Sequence, residues 1–225
     1  MKKQTNISTE NIKAVIFDMD GVIVDTEPLH IEAYHIFFRE LNIPADDSLF
    51  HSFVGVSIED NIRQIIKPIL NEHISQADKR IKQRNDIYVD LLKSRPLKAI
   101  DGFTELLDYL HKKNIITALA SSSPWRQIDI ITEKLAIRDK FSVMCSGHDV
   151  KETKPAPDIY LKALNDLGHK PSSVLAIEDS ITGVRAAKAA AVQCIALKNP
   201  YMDGRKLEEL ANTAVESLHD IINII

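Results

Sequence analysis

Five short apolar runs, each followed by polar residues, constrain this chain more than any other feature. They are KAVIF (13–17), IITALA (115–120), SVMCS (142–146), SVLAIE (173–178) and VQCIAL (192–197). Apolar runs of this length, bounded by polar and turn-forming residues, read as buried strands. Helical patterns separate the later ones. GFTELLDYLHKK (102–113) precedes the second run, and PWRQIDIITEKL (124–135), PDIYLKALNDLG (157–168) and SITGVRAAKAAA (180–191) follow in turn. Alternating strands and helices predict a parallel sheet with both faces covered, and such strands are apolar throughout, as these are.

The stretch 25–98 breaks the rhythm, with helical patterns and no convincing strand. EPLHIEAYHIFFREL (27–41) places Leu29, Ala33, Ile36, Phe37 and Leu41 on one face of a helix. Further helices are expected near 57–69 and 75–93, and Arg95-Pro96 closes the segment because the residue before proline disfavours helix. The expected architecture is an α/β core made of 1–24 and 99–225, with a helical domain, 25–98, inserted after the first strand.

Composition narrows the class. With 44% hydrophobic and 27% charged residues the chain is ordinary for a globular protein, which excludes wholesale disorder. A net charge of −4 argues against a dedicated nucleic-acid binder, which usually carries a basic face. Cys145 and Cys194 lie inside apolar runs and read as buried thiols rather than a disulfide framework. No apolar stretch approaches the ~18 residues of a membrane span. The polar opening MKKQTNISTENIK lacks the apolar stretch of a secretion signal, so a soluble cytoplasmic protein is expected.

The residues that follow the strands carry the chemistry. In open parallel sheets ligands bind beyond the carboxyl ends of the strands. Asp18-Met19-Asp20-Gly21 follows the first run, and its two carboxylates can converge on one cation while Gly21 permits a sharp turn. A polar turn is the plainer reading of this motif alone, and a calcium loop is excluded because the further acidic positions are missing. Glu178-Asp179-Ser180 ends another strand. Helix capping accounts for one acid there but less well for two. Four carboxylates gathered at strand ends are costly unless a hard cation such as Mg2+ neutralises them. Ser121-Ser122-Ser123-Pro124 reads as a helix cap or as an anion site made of hydroxyls and amides. Lys154, aimed by Pro155 and Pro157, is a surface lysine or a point-charge partner for phosphate. Each motif alone is ambiguous, but their joint order along the strand ends is not.

That order resembles the haloacid dehalogenase-like superfamily. DMDGV (18–22), Ser121 after IITALA, Lys154 in KPAPD and EDS (178–180) are similar to its four signature motifs, and the resemblance covers almost the whole chain. The insertion after the first motif, with DTEPLH (25–30), resembles the subfamily of β-phosphoglucomutase and sugar-phosphate phosphatases. The resemblance implies a Rossmann-like parallel core with a helical cap. It implies Asp18 as nucleophile, Asp20 as general acid and base, and Ser121, Ser122 and Lys154 as phosphate holders. It also implies Mg2+ bound by Asp18, the main-chain carbonyl of Asp20, Asp179 and, through water, Glu178. Thr26, His30, Gly55 and Ser57 are the implied hinge and substrate residues of the cap. Relatives that dehalogenate lack the second aspartate, so Asp20 argues for phosphoryl transfer. A receiver domain is shorter and has no cap.

Family mutases carry a basic residue after the glycine of the cap's substrate loop. Here Val54 and Ile58 occupy those positions, and Arg63 lies a turn further on. The expectation is a phosphatase for a small sugar or polyol phosphate, with the mutase as the alternative and a non-catalytic phosphate sensor as a third reading. A monomer or weak homodimer is expected, without nucleic-acid or membrane partners.

Overall fold

A computed structural model of the protein describes residues 7–44, 47–53 and 56–225. It divides into two compact units, one running to Asp25 and resuming as Leu97–Ile225, the other Thr26–Pro96.

The first unit is a six-stranded sheet. Its strands are β1 (Ala14–Phe17), β2 (Ile116–Ser121), β3 (Val143–Ser146), β4 (Val174–Glu178), β5 (Gln193–Leu197) and β6 (Thr213–Val215). They pair in the order β3-β2-β1-β4-β5-β6, and every pairing is parallel. Five of the six are the apolar runs. Thr213–Val215 is too short and polar in its surroundings to stand out in the sequence, and it forms because β5 offers it an open edge.

The strands sort their side chains by size. One face carries Ala14, Ile16, Ala118, Ala120, Ala176, Cys194 and Ala196, and these pack with Ile159, Tyr160, Ala163, Val184, Ala186 and Ala187 of α7 (Asp158–Leu167) and α8 (Ile181–Ala189). Small residues on the sheet let those two helices come close. On the opposite face Phe17 meets Phe103, at the start of α5 (Phe103–Lys112), edge-on at 5.6 Å, and Phe141 at 6.2 Å. Both cysteines are buried free thiols, as their apolar settings suggested. The remaining helices of this unit are α6 (Trp125–Lys134), α9 (Gly204–Leu210) and α10 (Leu218–Ile222).

β1 is paired on both sides, Phe17 lying opposite Leu119 of β2 and Ile177 of β4. The chain builds outward from β1 through β2 to β3, then crosses back to begin the other half at β4. This reversal leaves a crevice at the carboxyl ends of β1 and β4, the place where an open sheet binds ligands.

The second unit holds α1 (Glu27–Glu40), α2 (Asp47–His51), α3 (Ile58–Ile65) and α4 (Ala77–Ser94). The helix expected over 57–69 stops at Ile65 and gives way to turns, and the one expected from 75 opens as a short 3-10 turn, Ile74–Gln76. The core is aromatic: Tyr34, Phe37, Phe38, Phe50 and Phe53 pack with Ile62, Ile65 and Ile66. Of the expected face of α1, Ala33 and Phe37 are buried while Leu29, Ile36 and Leu41 are half-buried. Tyr34 and Phe38 take the central places, since their rings reach Phe50 where shorter side chains would not. No helix among the described residues is long and apolar enough to cross a membrane.

Candidate active site

Asp18 follows β1 directly, and its main-chain N–H donates to the Ile177 carbonyl at 3.0 Å, continuing the β1–β4 ladder. The carboxyl end of β1 is thereby pinned beside Glu178, the last residue of β4. The turn that follows is tight. The main-chain N–H groups of Ile23 and Val24 both donate to the Met19 carbonyl, and Gly21 has φ +79°, a left-handed conformation that glycine adopts freely.

Asp18, Glu178 and Asp179 form the acidic centre. Each offers a carboxylate oxygen within 4.8 Å of the others. Glu178 is fully buried and Asp18 is 7% exposed. Lys154 lies between two of them, with Nζ 2.7 Å from Asp18 Oδ1, 2.6 Å from Glu178 Oε1 and 3.0 Å from the Ala120 carbonyl. Its peptide bond to Pro155 is cis. The Tyr160 hydroxyl donates to Glu178 Oε1 at 2.5 Å. Asn199 Nδ2 donates to Asp179 Oδ2 at 3.0 Å and to its carbonyl at 3.2 Å.

One ammonium does not balance three carboxylates in a buried site. Burial, then the charge of Asp18, raises Glu178 to about 7 against the opposing pull of Lys154 and Tyr160. Burial, followed by Asp18 and Glu178, pushes Asp179 well above the ordinary carboxylate range. Burial alone would lower the Lys154 ammonium, but Asp18 and Glu178 outweigh it and hold it above its usual value. A set of converging oxygen donors with surplus negative charge fits a hard divalent cation.

Two glycines leave room for these carboxylates. A Cβ at Gly21 would stand 1.8 Å from Asp179 Oδ2, and one at Gly183 would stand 1.9 Å from Glu178 Oε2. Gly183 lies on α8, and what it accommodates is an acidic side chain.

Asp20 stands apart from the acidic trio. Its Oδ2 accepts from Ser123 Oγ at 2.9 Å. Ser121, at the end of β2, is buried, and its Oγ accepts the Ser123 N–H at 3.1 Å. Ser122 is exposed, and its carbonyl faces Gly147, where a Cβ would lie 2.3 Å away. Ser180 caps α8, accepting from the Gly183 N–H at 3.0 Å, so both readings of Glu178-Asp179-Ser180 apply, the serine as the cap and the acids as the cluster. Trp125 Nε1 donates to Asp149 Oδ1 at 2.8 Å.

The helical unit holds the other expected residues. Thr26 is buried and its carbonyl accepts from the Leu29 and His30 N–H groups. His30 stacks on Tyr88 with ring centres 4.0 Å apart, and its Nδ1 lies 2.7 Å from Arg84 Nη2. Burial, then the Arg84 charge, holds its pKa well below the ordinary value, so Nδ1 accepts from the guanidinium as a neutral ring. Ser57 caps α3, accepting the Asp60 N–H at 3.1 Å. Arg63 pairs with Asp78 at 3.0 Å. Gly55 and Val54 lie outside the described residues.

Sequence reasoning passed over Tyr160, Asn199 and Arg84. Tyr160 looks like a core residue of an amphipathic helix, and Asn199 sits in a loop after β5 with no motif around it. Only the fold brings them to the acids.

A parallel sheet bearing an acid pair, a hydroxyl, a lysine and a second acid pair at its carboxyl edge defines a hydrolase core of the Rossmann-like type. Known proteins agree. Residues 15–197 match the haloacid dehalogenase-like hydrolase family. A phosphorylated carbohydrates phosphatase of Thermotoga maritima is 33% identical over 217 residues, covering 95% of this chain and 98% of its own. A (DL)-glycerol-3-phosphatase of Arabidopsis thaliana is 31% identical, covering 93% and 89%. The crystal structure of β-phosphoglucomutase from Clostridium difficile superposes with a TM-score of 0.75 at 27% identity, covering 93% of each chain. The chain belongs to the haloacid dehalogenase-like hydrolases, as a phosphoric monoester hydrolase of that superfamily.

The site makes two predictions. Gly183→Ala drives a methyl group into the Glu178 carboxylate, with an expected loss of about 1–3 kcal/mol in chemical denaturation. Burial and the charge of Asp18 raise Glu178 from an ordinary 4.5 to about 7, so the folded state holds its proton more tightly. The stability this group supplies is complete below 4.5 and is lost as pH rises through about 7. Thermal unfolding in a chelator should therefore fall less steeply over that window in Glu178→Gln than in the unchanged protein.

Proposed function

We propose that the protein is a Mg2+-dependent phosphatase that hydrolyses a small sugar or polyol phosphate through an aspartyl-phosphate on Asp18. The observation that carries this reading is the gathering of Asp18, Glu178 and Asp179, with Lys154 between the first two, at the crevice of the sheet. Names of the Thermotoga and Arabidopsis relatives support the substrate class.

Asp18 is the nucleophile. Its carboxylate oxygen attacks phosphorus, and the bond to the leaving alcohol breaks. Asp20 gives that oxygen a proton, then takes one from the water that hydrolyses the aspartyl-phosphate and restores the Asp18 carboxylate. Lys154 holds Asp18 in place and offers its charge to a phosphoryl oxygen, and Ser121 and Ser122 complete the phosphate seat. Mg2+ would be held by Asp18, Asp179 and the Asp20 carbonyl, with Glu178 through water, and would supply positive charge to offset the negative charge of the phosphoryl oxygens. Positioning and electrostatics dominate phosphoryl transfer, which suits a site built from fixed charges. In this reading the helical unit takes the part of the family's cap, and Thr26, His30, Gly55 and Ser57 are the hinge and substrate residues that the resemblance implies.

The likeness to β-phosphoglucomutase favours the mutase as a second reading. Against it, Ile58 is apolar at a position where mutases are basic, and Arg63 already has Asp78 as partner.

Asp18→Asn is expected to keep the fold by circular dichroism and lower kcat by more than about a thousandfold. Chelation should abolish turnover and added Mg2+ restore it. Phosphorus NMR on a panel of hexose, pentose and polyol phosphates, with β-glucose 1-phosphate and a trace of the 1,6-bisphosphate included, separates the readings. The expected outcome is accumulation of free phosphate, whereas migration from the 1- to the 6-position would establish the mutase.

A further inference from the structure

One contact of the site serves neither the acidic trio nor the lysine. Ser123 Oγ donates to Asp20 Oδ2 at 2.9 Å, joining residues 103 apart in sequence. A serine ahead of a helix ordinarily caps it, but Ser123 does not cap α6. The N-cap position belongs to Pro124, and no side chain bonds to the first turn there. The hydroxyl is instead committed to Asp20.

Its position is fixed by the main chain on both sides. The Ser123 N–H donates to Ser121 Oγ at 3.1 Å, tying it to the end of β2. The Ser123 carbonyl accepts from Ser146 Oγ at 2.7 Å, tying it to the end of β3. Ser146 is fully buried, and its own N–H donates to Asp149 Oδ2 at 2.9 Å. The absence of a side chain at Gly147 lets the Ser122 carbonyl settle against the turn after β3. Two adjacent strand ends thus present one hydroxyl to one carboxyl group.

A hydroxyl suits that task better than a cation. An ammonium or guanidinium would favour the carboxylate and oppose its protonation. A serine hydroxyl donates to the carboxylate and can rotate to accept from the carboxylic acid, so it keeps hold of the group in both states.

We propose that Ser123 is a positioning residue that aims the Asp20 carboxyl group at the leaving-group oxygen. The bond from Ser123 to Oδ2 restrains rotation of the Asp20 carboxyl group. As Asp18 attacks phosphorus and the ester P–O bond breaks, the electron pair stays on the leaving oxygen, which takes the proton from Asp20 and departs as the alcohol. Asp20 is left as a carboxylate, still bonded to Ser123, and recovers its proton from the attacking water. The proposal rests on the reading of Asp20 as general acid.

Leaving-group chemistry tests it. An alkyl ester such as glucose 6-phosphate, or the best alkyl substrate of the panel, needs a proton on its departing oxygen, whereas p-nitrophenyl phosphate releases a stable phenolate. kcat/KM reports all steps through departure of that group, so the alkyl-to-aryl ratio of kcat/KM isolates the proton transfer. Ser123→Ala is expected to lower this ratio by about tenfold or more, part of the roughly 10²–10⁴ that a positioned acid contributes. Ser123→Thr keeps the hydroxyl and should keep most of the ratio. Should Ser123→Ala fail to fold, Ser123→Cys, similar in shape with a weaker donor, carries the same expectation of a lowered ratio. Asp20→Asn sets the reference and should lower the ratio further. An unchanged ratio in Ser123→Ala beside a lowered one in Asp20→Asn would overturn the role of Ser123 and leave Asp20 as the acid. An unchanged ratio in Asp20→Asn would remove the acid assignment itself, and this proposal with it.

Discussion

Lys154 is the contact on which the site depends. Its ammonium is the single cation in hydrogen-bonding contact with the acidic trio among the described residues, and it touches Asp18 from β1 and Glu178 from β4 at once. Buried ion pairs rarely return more than their desolvation costs, and removing one partner leaves a charge stranded. Here the pair is deliberately unequal, since one positive group faces three negative ones. The imbalance raises Glu178 and Asp179 and makes the centre a poor resting place for the empty protein. The same imbalance suits the converging oxygens to a hard divalent cation. The sheet topology supplies the geometry, because only the reversal between β1 and β4 brings Asp18 and Glu178 side by side.

Most of this could be read from the chain. Buried parallel strands announce themselves as continuous apolar runs, and the acids, the lysine and the serines stand at their ends in order. What stayed hidden has physical reasons. β6 has three residues and gains its identity from the edge it joins. Tyr160 and Asn199 reach the acids across the fold, and no local pattern marks them. The Ser123 motif was visible, but its partner was not, since a capping serine and a serine bonded to Asp20 look alike in one dimension. The buried face of α1 was legible only in part, for a similar cause. A face drawn from helical spacing alone ranks Leu29 with Phe37, whereas ring size decides which side chains reach α2.

The helical unit holds a second electrostatic oddity. Arg84 is fully buried, its guanidinium 4.4 Å from the ring centre of Tyr34 and 5.3 Å from that of Tyr88, while Nη2 donates to the His30 carbonyl at 3.0 Å. No hydrogen-bond partner for its Nε and Nη1 is found among the described residues. Stacking against electron-rich rings offsets part of the cost of desolvating a cation. Neutral His30 supplies the lone pair that a carboxylate supplies at Lys154, and the two units thus answer the same problem of a buried positive charge in opposite ways.

Gly21 and Gly183 make the acidic centre possible by what they lack. Neither has a side chain to remove, so a survey that truncates residues one by one to alanine would pass over both as already minimal, or would record their substitution as a stability defect. The room that admits the carboxylates belongs to the main chain. Such positions set a boundary on what can vary: a library built on this scaffold has no choice at two places that contribute no atoms to the chemistry.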